Sequence, residues 1–403
     1  MSGTTHRGPG PMRWLLPDGV EEALPDTAWR LERLRRRILD LYARRGYDFV
    51  IPPVIEYLDS LLIGAGHDLE LDTFKLVDQV SGRMMGIRAD MTPQVARIDA
   101  HRLARDVPVR LCYVGAVVHT RPGPFGGGRS PLQVGAELYG HGGLEADLEV
   151  LELLLSTLDT AGVDGNRCLD LGHVGIVRAL AAVTGLDAED EAALFEMLQR
   201  KSSPEIGARL DALGLAPRAD AMWRGLVDLH GGPDVLDRAR TLLAPAGDEV
   251  LEAIEHLARL GDAVAARHAD AQLHFDLAEL RGYHYHTGVV FAVYLPGEGE
   301  EIARGGRYDG IGAAFGRARP ATGFSTDLRR LAVCGPRDEL AYWPGAIAAP
   351  PDPDPDLAYR IDELRAAGER VITMLPGQVG GPAEMGCDRQ IVRCGDNWTV
   401  EEI

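Results

Sequence analysis

The feature that most constrains the fold is a pair of apolar runs separated by a segment rich in glycine and proline. The first run covers Val109 to Val118, the second covers Leu132 to Tyr139, and four glycines lie within residues 123–128. Two such runs joined by a flexible tip predict an antiparallel β-hairpin. Because side chains alternate between the two faces of a strand, Gln133 and Glu137 should lie on the same face.

The shared face of Gln133 and Glu137 has two interpretations. A glutamine and a glutamate that point the same way from an apolar strand need hydrogen-bonding partners when buried, which favours a ligand site. Alternatively, they form the polar outer face of a sheet. The glycines of the tip could cradle a phosphate, but no Gly-Lys-Ser/Thr sequence follows them, so we interpret the tip as a flexible turn.

Length and charge limit the classes of function. The chain has 403 residues, enough for two or three domains, and a formal net charge of −19. An acidic surface repels phosphate backbones, so we expect no nucleic-acid partner. The chain lacks both a run of eighteen apolar residues and an N-terminal secretion signal. We therefore expect a cytoplasmic protein with no membrane contact.

One basic cluster stands out against this acidic composition: Arg33, Arg35, Arg36, Arg37, Arg44 and Arg45. It falls in a stretch where leucine and isoleucine recur at helical spacing. That pattern favours the solvated face of an amphipathic helix over an RNA-binding patch.

The cysteine and histidine spacings give little support for a metal centre. The five cysteines form no CxxC pair, and Cys387 and Cys394 are not flanked by a second Cys/His pair. His284 and His286 could share one face of a strand, but no third ligand with suitable spacing accompanies them. We therefore expect no metal ion and no cofactor.

The hydrophobic pattern divides the chain into three parts. Residues 1–12 are polar and rich in glycine and proline, which predicts disorder. Residues 13–340 mix helices with short strands and form the predicted core, and an alanine- and leucine-rich stretch at about 175–268 predicts a helical insertion without strands. Residues 341–403 predict a small C-terminal α/β domain. Hairpins that follow helices favour an α+β fold, with an antiparallel sheet flanked by helices.

The clearest local predictions lie in the first hundred residues. The pattern predicts a helix from Pro25 to Arg45 and then a strand over residues 47–51, closed by Pro52 and Pro53. A second helix should run from Thr92 to Arg105, with a proline in its first turn.

Four separated runs of the sequence resemble histidyl-tRNA synthetase, a class II aminoacyl-tRNA synthetase. They are Arg88–Thr92, Val114–Gly140, Arg281–Gly288 and Gly305–Gly310. The segment Gly46–Glu56, with its double proline, is similar to motif 1, the class II dimerisation segment. The resemblance covers roughly residues 14–331. It implies a class II synthetase-like core that self-associates as a dimer.

The amino-acid side of the family's pocket is kept, so the resemblance implies a site for free L-histidine. The matching residues are Asp90, Thr92, Arg121, Gln133, Glu137, Arg281, Tyr285 and His286. Asp90 is one methylene shorter than the family's glutamate, and His286 and His284 replace a tyrosine and an aspartate. Alternatively, Asp90 and Thr92 only cap the following helix.

The ATP side of the pocket is altered. When the Arg121–Pro122 step is aligned with the family's hairpin, Val118 and Thr120 replace an arginine and a glutamate. Arginine at that point clamps the α-phosphate of ATP, which valine cannot do. A site with amino-acid ligands and no phosphate clamp is typical of a sensor, so we expect no catalytic residues.

Motif 3 and the C-terminus extend this comparison. Arg330 keeps the position of the family's ATP-stacking arginine, whereas Arg329 replaces a glutamate and Asp327 a glycine. A linker-like segment rich in proline and aspartate lies at residues 348–356, and we expect the residues after it to be too few for an anticodon-binding domain. This combination is similar to the regulatory subunit of ATP phosphoribosyltransferase.

The regulatory-subunit resemblance implies a non-catalytic chain that pairs with a short catalytic subunit in the first step of histidine biosynthesis and mediates feedback by histidine. One alternative is a truncated synthetase-like enzyme that adenylates histidine or a related amino acid, since Arg281 and Arg330 are kept. A nucleic-acid-binding regulator is a further alternative, which the acidic charge disfavours.

Overall fold

The computed structural model describes residues 15–63, 67–122, 128–163, 165–280, 282, 285–336 and 345–403. The α-helices are α1 Pro25–Arg44, α2 Leu58–Leu61, α3 His67–Asp72, α4 Thr92–Arg97, α5 Leu144–Thr160, α6 Val174–Thr184, α7 Ala188–Gln199, α8 Ser203–Leu213, α9 Pro217–Leu226, α10 Val235–Leu243, α11 Asp248–Arg267, α12 Ile311–Ala314, α13 Leu328–Cys334 and α14 Pro355–Ala366. Across these ranges, none of the helices is long and apolar enough to cross a bilayer.

The strands follow the same chain order. They are β1 Asp48–Phe49, β2 Ile55–Tyr57, β3 Phe74–Val77, β4 Met84–Ile87, β5 Val109–Ala116, β6 Leu132–Tyr139, β7 Cys168–His173, β8 His230–Gly231, β9 Gln272–Asp276, β10 Val289–Tyr294, β11 Ala303–Arg307, β12 Ala321–Asp327, β13 Ile347–Ala349, β14 Val371–Thr373, β15 Arg389–Cys394 and β16 Asn397–Glu402.

The chain divides into two compact units. The larger unit comprises the described parts of residues 1–24 and 31–336, and the smaller comprises residues 25–30 and the described part of 337–403. The domain boundaries inferred from the sequence stay a prediction, and the disorder predicted for residues 1–12 lies outside the described residues.

The main sheet of the larger unit has the strand order β1-β5-β6-β12-β11-β10-β7-β9-β8. The pairs from β5 through β7 are antiparallel, whereas β1 joins β5 and β9 joins β7 in parallel. The predicted hairpin is therefore present as β5 and β6. A separate small sheet has the order β2-β4-β3.

One face of the main sheet is covered by α1 and α5. The apolar stripe of α1 includes Leu34 and Ile38, both fully buried, and α5 buries leucines along most of its length. The Tyr42 ring meets the Phe324 ring edge-on at 6.3 Å, and the Thr157 hydroxyl donates to the Tyr42 hydroxyl at 3.1 Å. Each fully buried leucine or isoleucine contributes about 1.5–3 kcal/mol to the stability of this layer.

The opposite face of the sheet carries an aromatic cluster instead of an aliphatic one. Tyr113, Tyr139 and Tyr308 are buried there together with Met91 and Val95 of the α4 region. Tyrosine hydroxyls need hydrogen-bond partners when buried, so this face brings polar groups into the core.

The second predicted helix differs in its C-terminal half. After α4 the chain continues as a π-helical turn, Ile98–Leu103. This wider turn places Asp99, almost fully buried, against the Arg319 guanidinium at 3.2 Å. A tertiary ion pair of this kind cannot be anticipated from helical periodicity.

The region between β7 and β9 contains α6 to α11. Its core is built from leucines of successive helices around the fully buried Trp223. The expectation that this region lacks strands is wrong, because β8 pairs with β9 in antiparallel register. Two residues are too few to show an alternating pattern.

The smaller unit contains a sheet with the order β14-β13-β15-β16. Strand β13 is parallel to both β14 and β15, and β16 closes the sheet as an antiparallel hairpin. Leu357 and Ile361 of α14 pack on Ile347 and Ile391 of the sheet.

Candidate functional site

Glu137 lies at the centre of the aromatic cluster, on β6, with only 1% of its surface exposed. The Tyr113 hydroxyl donates to Oε1 at 2.8 Å, and the Tyr308 hydroxyl donates to Oε2. Because the Tyr113 hydrogen is directed at Glu137, the Thr92 hydroxyl, 3.1 Å away, donates to Tyr113. The carboxyl group is therefore held directly by two tyrosines, one in β5 and one that follows β11.

Two glycines make room for this arrangement. Gly323 of β12 is paired directly with Glu137, and a Cβ at Gly323 would lie 1.5 Å from Glu137 Oε2. Gly135 stands opposite Tyr113, and a Cβ there would lie 2.5 Å from the Tyr113 hydroxyl. Any other residue at either position would push the polar groups apart.

The electrostatics of the site follow from its burial. Burial raises the pKa of Glu137 to about 8, against the opposing effect of the Tyr308 and Tyr113 hydrogen bonds, and the Asp90 carboxylate raises it further. Burial also raises the pKa of Tyr113 and Tyr308 well above their usual value, so both remain donors. The raised pKa of Glu137 therefore favours its protonated form up to neutral pH.

Asp90 and Gln133 form a second polar group on the same face. Gln133 Nε2 donates to Asp90 Oδ1 at 2.7 Å, and Gln133 Oε1 accepts from the Met91 N–H at 2.9 Å. The Thr92 N–H donates to Asp90 Oδ1 at 3.0 Å. Asp90 thus caps the turn and also contacts Gln133, whereas the Thr92 hydroxyl is directed to Tyr113 rather than to the backbone.

Tyr285 and His286 line the cluster from the segment before β10. The Tyr285 ring stacks on Tyr308 with centroids 4.9 Å apart, and its buried hydroxyl has no hydrogen-bond partner among the described residues. His286 Nδ1 lies 3.2 Å from the Arg307 carbonyl oxygen, which can only accept, so Nδ1 carries the hydrogen. Burial lowers the pKa of His286 to about 4, so the ring is neutral at pH 7.

The structure does not bring all eight predicted residues together. Asp90, Thr92, Gln133 and Glu137 form one hydrogen-bonded network that runs through Tyr113. Arg121 is exposed, and no contact joins it to the network within the described ranges. Arg281 lies outside the described residues, as does His284 of the considered metal pair.

Sequence reasoning missed three groups that build the site: Tyr113, Tyr308 and Gly323. Tyr113 lies in a strand that was predicted correctly, and Tyr308 lies within the recognised run Gly305–Gly310. Their roles depend on strand register between β5, β6 and β12, which no single strand reveals.

The described positions that correspond to the ATP side are 118, 120 and 330, and each makes contacts within the chain. Val118 is apolar, and its N–H donates to the Arg88 carbonyl at 3.1 Å. The Thr120 hydroxyl donates to the Leu71 carbonyl at 2.6 Å. Arg330 is held by the Glu301 carbonyl at 2.8 Å.

Carboxylates surround the same guanidinium. Glu300 Oε2 lies 3.4 Å from Arg330 Nη1, and Glu298 Oε2 lies 3.6 Å from Nη2. Asp327 Oδ1 accepts from the Leu132 and Arg329 N–H groups, each at 3.0 Å. A cavity of about 240 Å³ beside these residues carries both acidic and basic groups.

A carboxylate cluster also lies at the end of β7 and β9. Asp170, Asp276 and Glu279 offer oxygens within 4.8 Å of one another. The Lys201 ammonium is bonded to Asp276, and His274 Nδ1 lies 2.8 Å from Asp170. Because the Lys201 ammonium and the His274 ring already contact two of these carboxylates, their grouping has a structural explanation without a metal ion.

The chain is similar to known families and proteins along nearly its whole length. Residues 19–331 match the family described as histidyl-tRNA synthetase, and residues 344–401 match the ATP phosphoribosyltransferase subunit HisZ C-terminal domain. An ATP phosphoribosyltransferase regulatory subunit from Thioalkalivibrio sulfidiphilus is 58% identical over 392 residues, covering 97% of this chain and 99% of the relative. The protein of the same name from Pseudomonas syringae is 54% identical over 389 residues, covering 96% and 98%.

Solved structures give the same result for the fold. An ATP phosphoribosyltransferase regulatory subunit/histidyl-tRNA synthetase from Bacillus halodurans aligns with a TM-score of 0.80 at 27% identity, covering 93% of this chain and 96% of the other. A histidyl-tRNA synthetase from a Nostoc species aligns with a TM-score of 0.77 at 18% identity, covering 97% and 95%, and bears on the fold alone. The predicted class II synthetase-like α+β fold is confirmed.

Proposed function

Because the chain belongs to the family of ATP phosphoribosyltransferase regulatory subunits, we propose that it binds free L-histidine in the Glu137 site and transmits occupancy to a catalytic subunit. The partner is the short form of ATP phosphoribosyltransferase, and the two chains act in the cytoplasm. In this proposal histidine is a feedback signal for its own biosynthesis and is never activated as a substrate.

The single observation that carries the ligand proposal is that acidic and aromatic side chains meet in one buried cluster. Asp90, which bonds Gln133, and Glu137 supply two carboxyl groups on the same face. The stacked rings of Tyr285 and Tyr308 supply a flat wall, and the Tyr285 hydroxyl, which has no partner among the described residues, supplies a buried hydrogen-bonding group. A zwitterion with an aromatic, hydrogen-bonding side chain suits such a lining.

The altered ATP side supports a sensor rather than a synthetase. Adenylation requires stabilisation of the charge that develops on the α-phosphate, and removing one such contact typically lowers the rate by about a hundred- to a thousand-fold. Val118 cannot make that contact. Arg330, which could stack on a nucleotide, is engaged by Glu300 and by the Glu301 carbonyl.

The chain also offers a surface for self-association. Between β1 and β4 a set of large apolar side chains is exposed, which we name the 51–57 surface: Ile51, Val54, Ile55 and Tyr57. Strand β2, which contributes two of them, pairs only with β4 among the strands that the structure describes, so its other edge is available to a partner. Its similarity to motif 1 supports a second copy of this chain as the partner, through an isologous interface.

Calorimetry with L-histidine tests the ligand proposal. Asp90→Asn removes one carboxylate charge without changing the shape of the side chain, so binding should weaken by about 2–5 kcal/mol if the contact to the ligand's ammonium is desolvated. Asp59→Asn is the matched control, because Asp59 is 93% exposed and should leave the affinity unchanged. Equal affinities for the parent and Asp90→Asn would contradict the assignment of Asp90.

Reconstitution tests the regulatory proposal. We expect the chain to change the activity of a short catalytic phosphoribosyltransferase on mixing and to confer inhibition by histidine. Histidine-dependent exchange between ATP and pyrophosphate should be absent. If the chain alone forms histidyl-adenylate, the alternative of a truncated adenylating enzyme is correct instead.

A further inference from the structure

Arg88 joins two segments of the larger unit through its backbone. It follows β4 and is 3% exposed. Its N–H donates to the Val54 carbonyl at 3.0 Å, and its own carbonyl accepts from the Val118 N–H at 3.1 Å. The residue therefore connects the chain after the double proline to the β5–β6 hairpin.

The Arg88 side chain strengthens the same connection. Nη1 donates to the Pro52 carbonyl at 2.6 Å, and Nε donates to the Ala116 carbonyl at 2.9 Å. The hairpin can accept the guanidinium because residue 115 is glycine, where a Cβ would lie 2.4 Å from Arg88 Nη2. The planar guanidinium holds both segments by donating from two separate nitrogens, whereas an ammonium has a single nitrogen from which to donate.

Two further residues bind the same segments. Gln94 Nε2 donates to the Pro53 carbonyl at 2.8 Å and to Glu56 Oε1 at 2.9 Å. The Arg97 guanidinium is bonded to the same Glu56 oxygen. Residues 88–97 and 52–56 are thus linked at three points along their length.

The same stretch carries part of the amino-acid site. Asp90 and Thr92 lie two and four residues after Arg88, where they bind Gln133 and Tyr113. A ligand that contacts Asp90 or Thr92 therefore acts on a segment whose start is fixed by Arg88.

The other end of this connection is the 51–57 surface. Ile51 is 76% exposed and precedes Pro52, whose carbonyl accepts from Arg88 Nη1. Val54 is 51% exposed, and its own carbonyl accepts from the Arg88 N–H. A shift of Arg88 would therefore move exposed apolar side chains that a second copy contacts in the proposed dimer.

We propose that Arg88 is a positioning residue that couples the amino-acid site to the 51–57 surface, so that histidine binding and self-association alter each other's affinity. This inference rests on the proposed function, because it takes histidine as the ligand and a second copy as the partner. By reciprocity, the factor by which histidine changes dimer affinity equals the factor by which dimerisation changes histidine affinity.

The test measures the dimer dissociation constant of the full chain by analytical ultracentrifugation, with and without saturating L-histidine. In the parent chain the constant should change by at least about five-fold, the lower end of couplings between sites. Arg88→Lys keeps the charge without the planar fork, and Gly115→Ala places a methyl group where the guanidinium lies. Each variant should still bind histidine but reduce the change to less than about two-fold.

Arg167→Lys is the matched control, since Arg167 is equally buried but pairs with Asp159 and Asp270. It should keep the parent's response to histidine. If circular dichroism shows that Arg88→Lys does not fold, the test compares the histidine-dependent change in the dimer constant between Gly115→Ala and the parent.

Each remaining result has a distinct meaning. A parent chain that binds histidine and dimerises, but with the same dimer constant in both conditions, overturns the coupling and leaves the proposed function intact. A full response retained in the folded variants overturns the role of Arg88. A parent chain that binds no histidine in calorimetry overturns the proposed function and this inference together.

Discussion

Replacing Glu137 with glutamine should change how the stability of the unliganded chain depends on pH. Burial raises the pKa of Glu137 to about 8 in the folded chain, whereas an unfolded glutamate has a pKa of about 4.3. Between these pH values the folded chain holds one more proton than the unfolded chain. The free energy of unfolding must therefore fall as pH rises.

The size of this effect follows from the proton difference. One proton over one pH unit changes the free energy of unfolding by about 1.4 kcal/mol. From pH 5 to pH 8 the parent should thus lose about 3–4 kcal/mol through Glu137. Glutamine has the same shape and cannot titrate, so Glu137→Gln should lack this contribution.

Urea denaturation at pH 5, 6, 7 and 8, at constant ionic strength and without histidine, measures the effect. The quantity of interest is the difference in free energy of unfolding between the parent and Glu137→Gln, because other titrating groups cancel in it. Glu205→Gln is the control, since Glu205 is largely exposed and its removal should change the pH dependence by less than about 1 kcal/mol. A Glu137→Gln difference that stays constant from pH 5 to pH 8 would show that Glu137 is ionised in the folded chain.

Two further substitutions follow from the same geometry. Gly323→Ala should abolish histidine binding in calorimetry, because its Cβ would overlap Glu137 Oε2. Gly310→Ala is the control and should bind histidine normally, since its Cβ meets nothing within 4 Å. An equal loss of binding in both variants would refute the prediction. Burial lowers the pKa of His173 to about 4, so the parent should lose about 2 kcal/mol of stability as pH falls from 6.5 to 4. His173→Asn should show a weaker loss in thermal melts over that range, and an unchanged acid sensitivity would count against it.

The parts of the fold that were predicted correctly are those with long, regular patterns. The β5–β6 hairpin and α1 were located to within two residues, because eight or more residues alternate or repeat at one period. The short strands β2, β8 and β13 were missed, since two or three residues carry no period. Their pairing depends on neighbours distant in sequence, which tertiary packing supplies.

The residues of the candidate site also fall into those that the sequence predicts and those that it does not. The common face of Gln133 and Glu137 could be predicted from strand alternation alone. Their partners could not, because Tyr113 reaches Glu137 across the β5–β6 register and Gly323 meets it across β12. Cross-strand neighbours are set by sheet order, and a strand sequence does not state which strand lies beside it.

The chemistry of the site is compatible with the proposed role of histidine as a signal. A protonated Glu137 avoids the cost of burying a charge without a counter-ion. In the proposed function the ammonium group of histidine supplies that counter-ion, so binding would favour the ionised carboxylate. Without a clamp at Val118, that binding energy cannot stabilise a transition state at phosphorus. It can instead favour one conformation of the chain over another, to the extent that the ligand binds the two with different affinity.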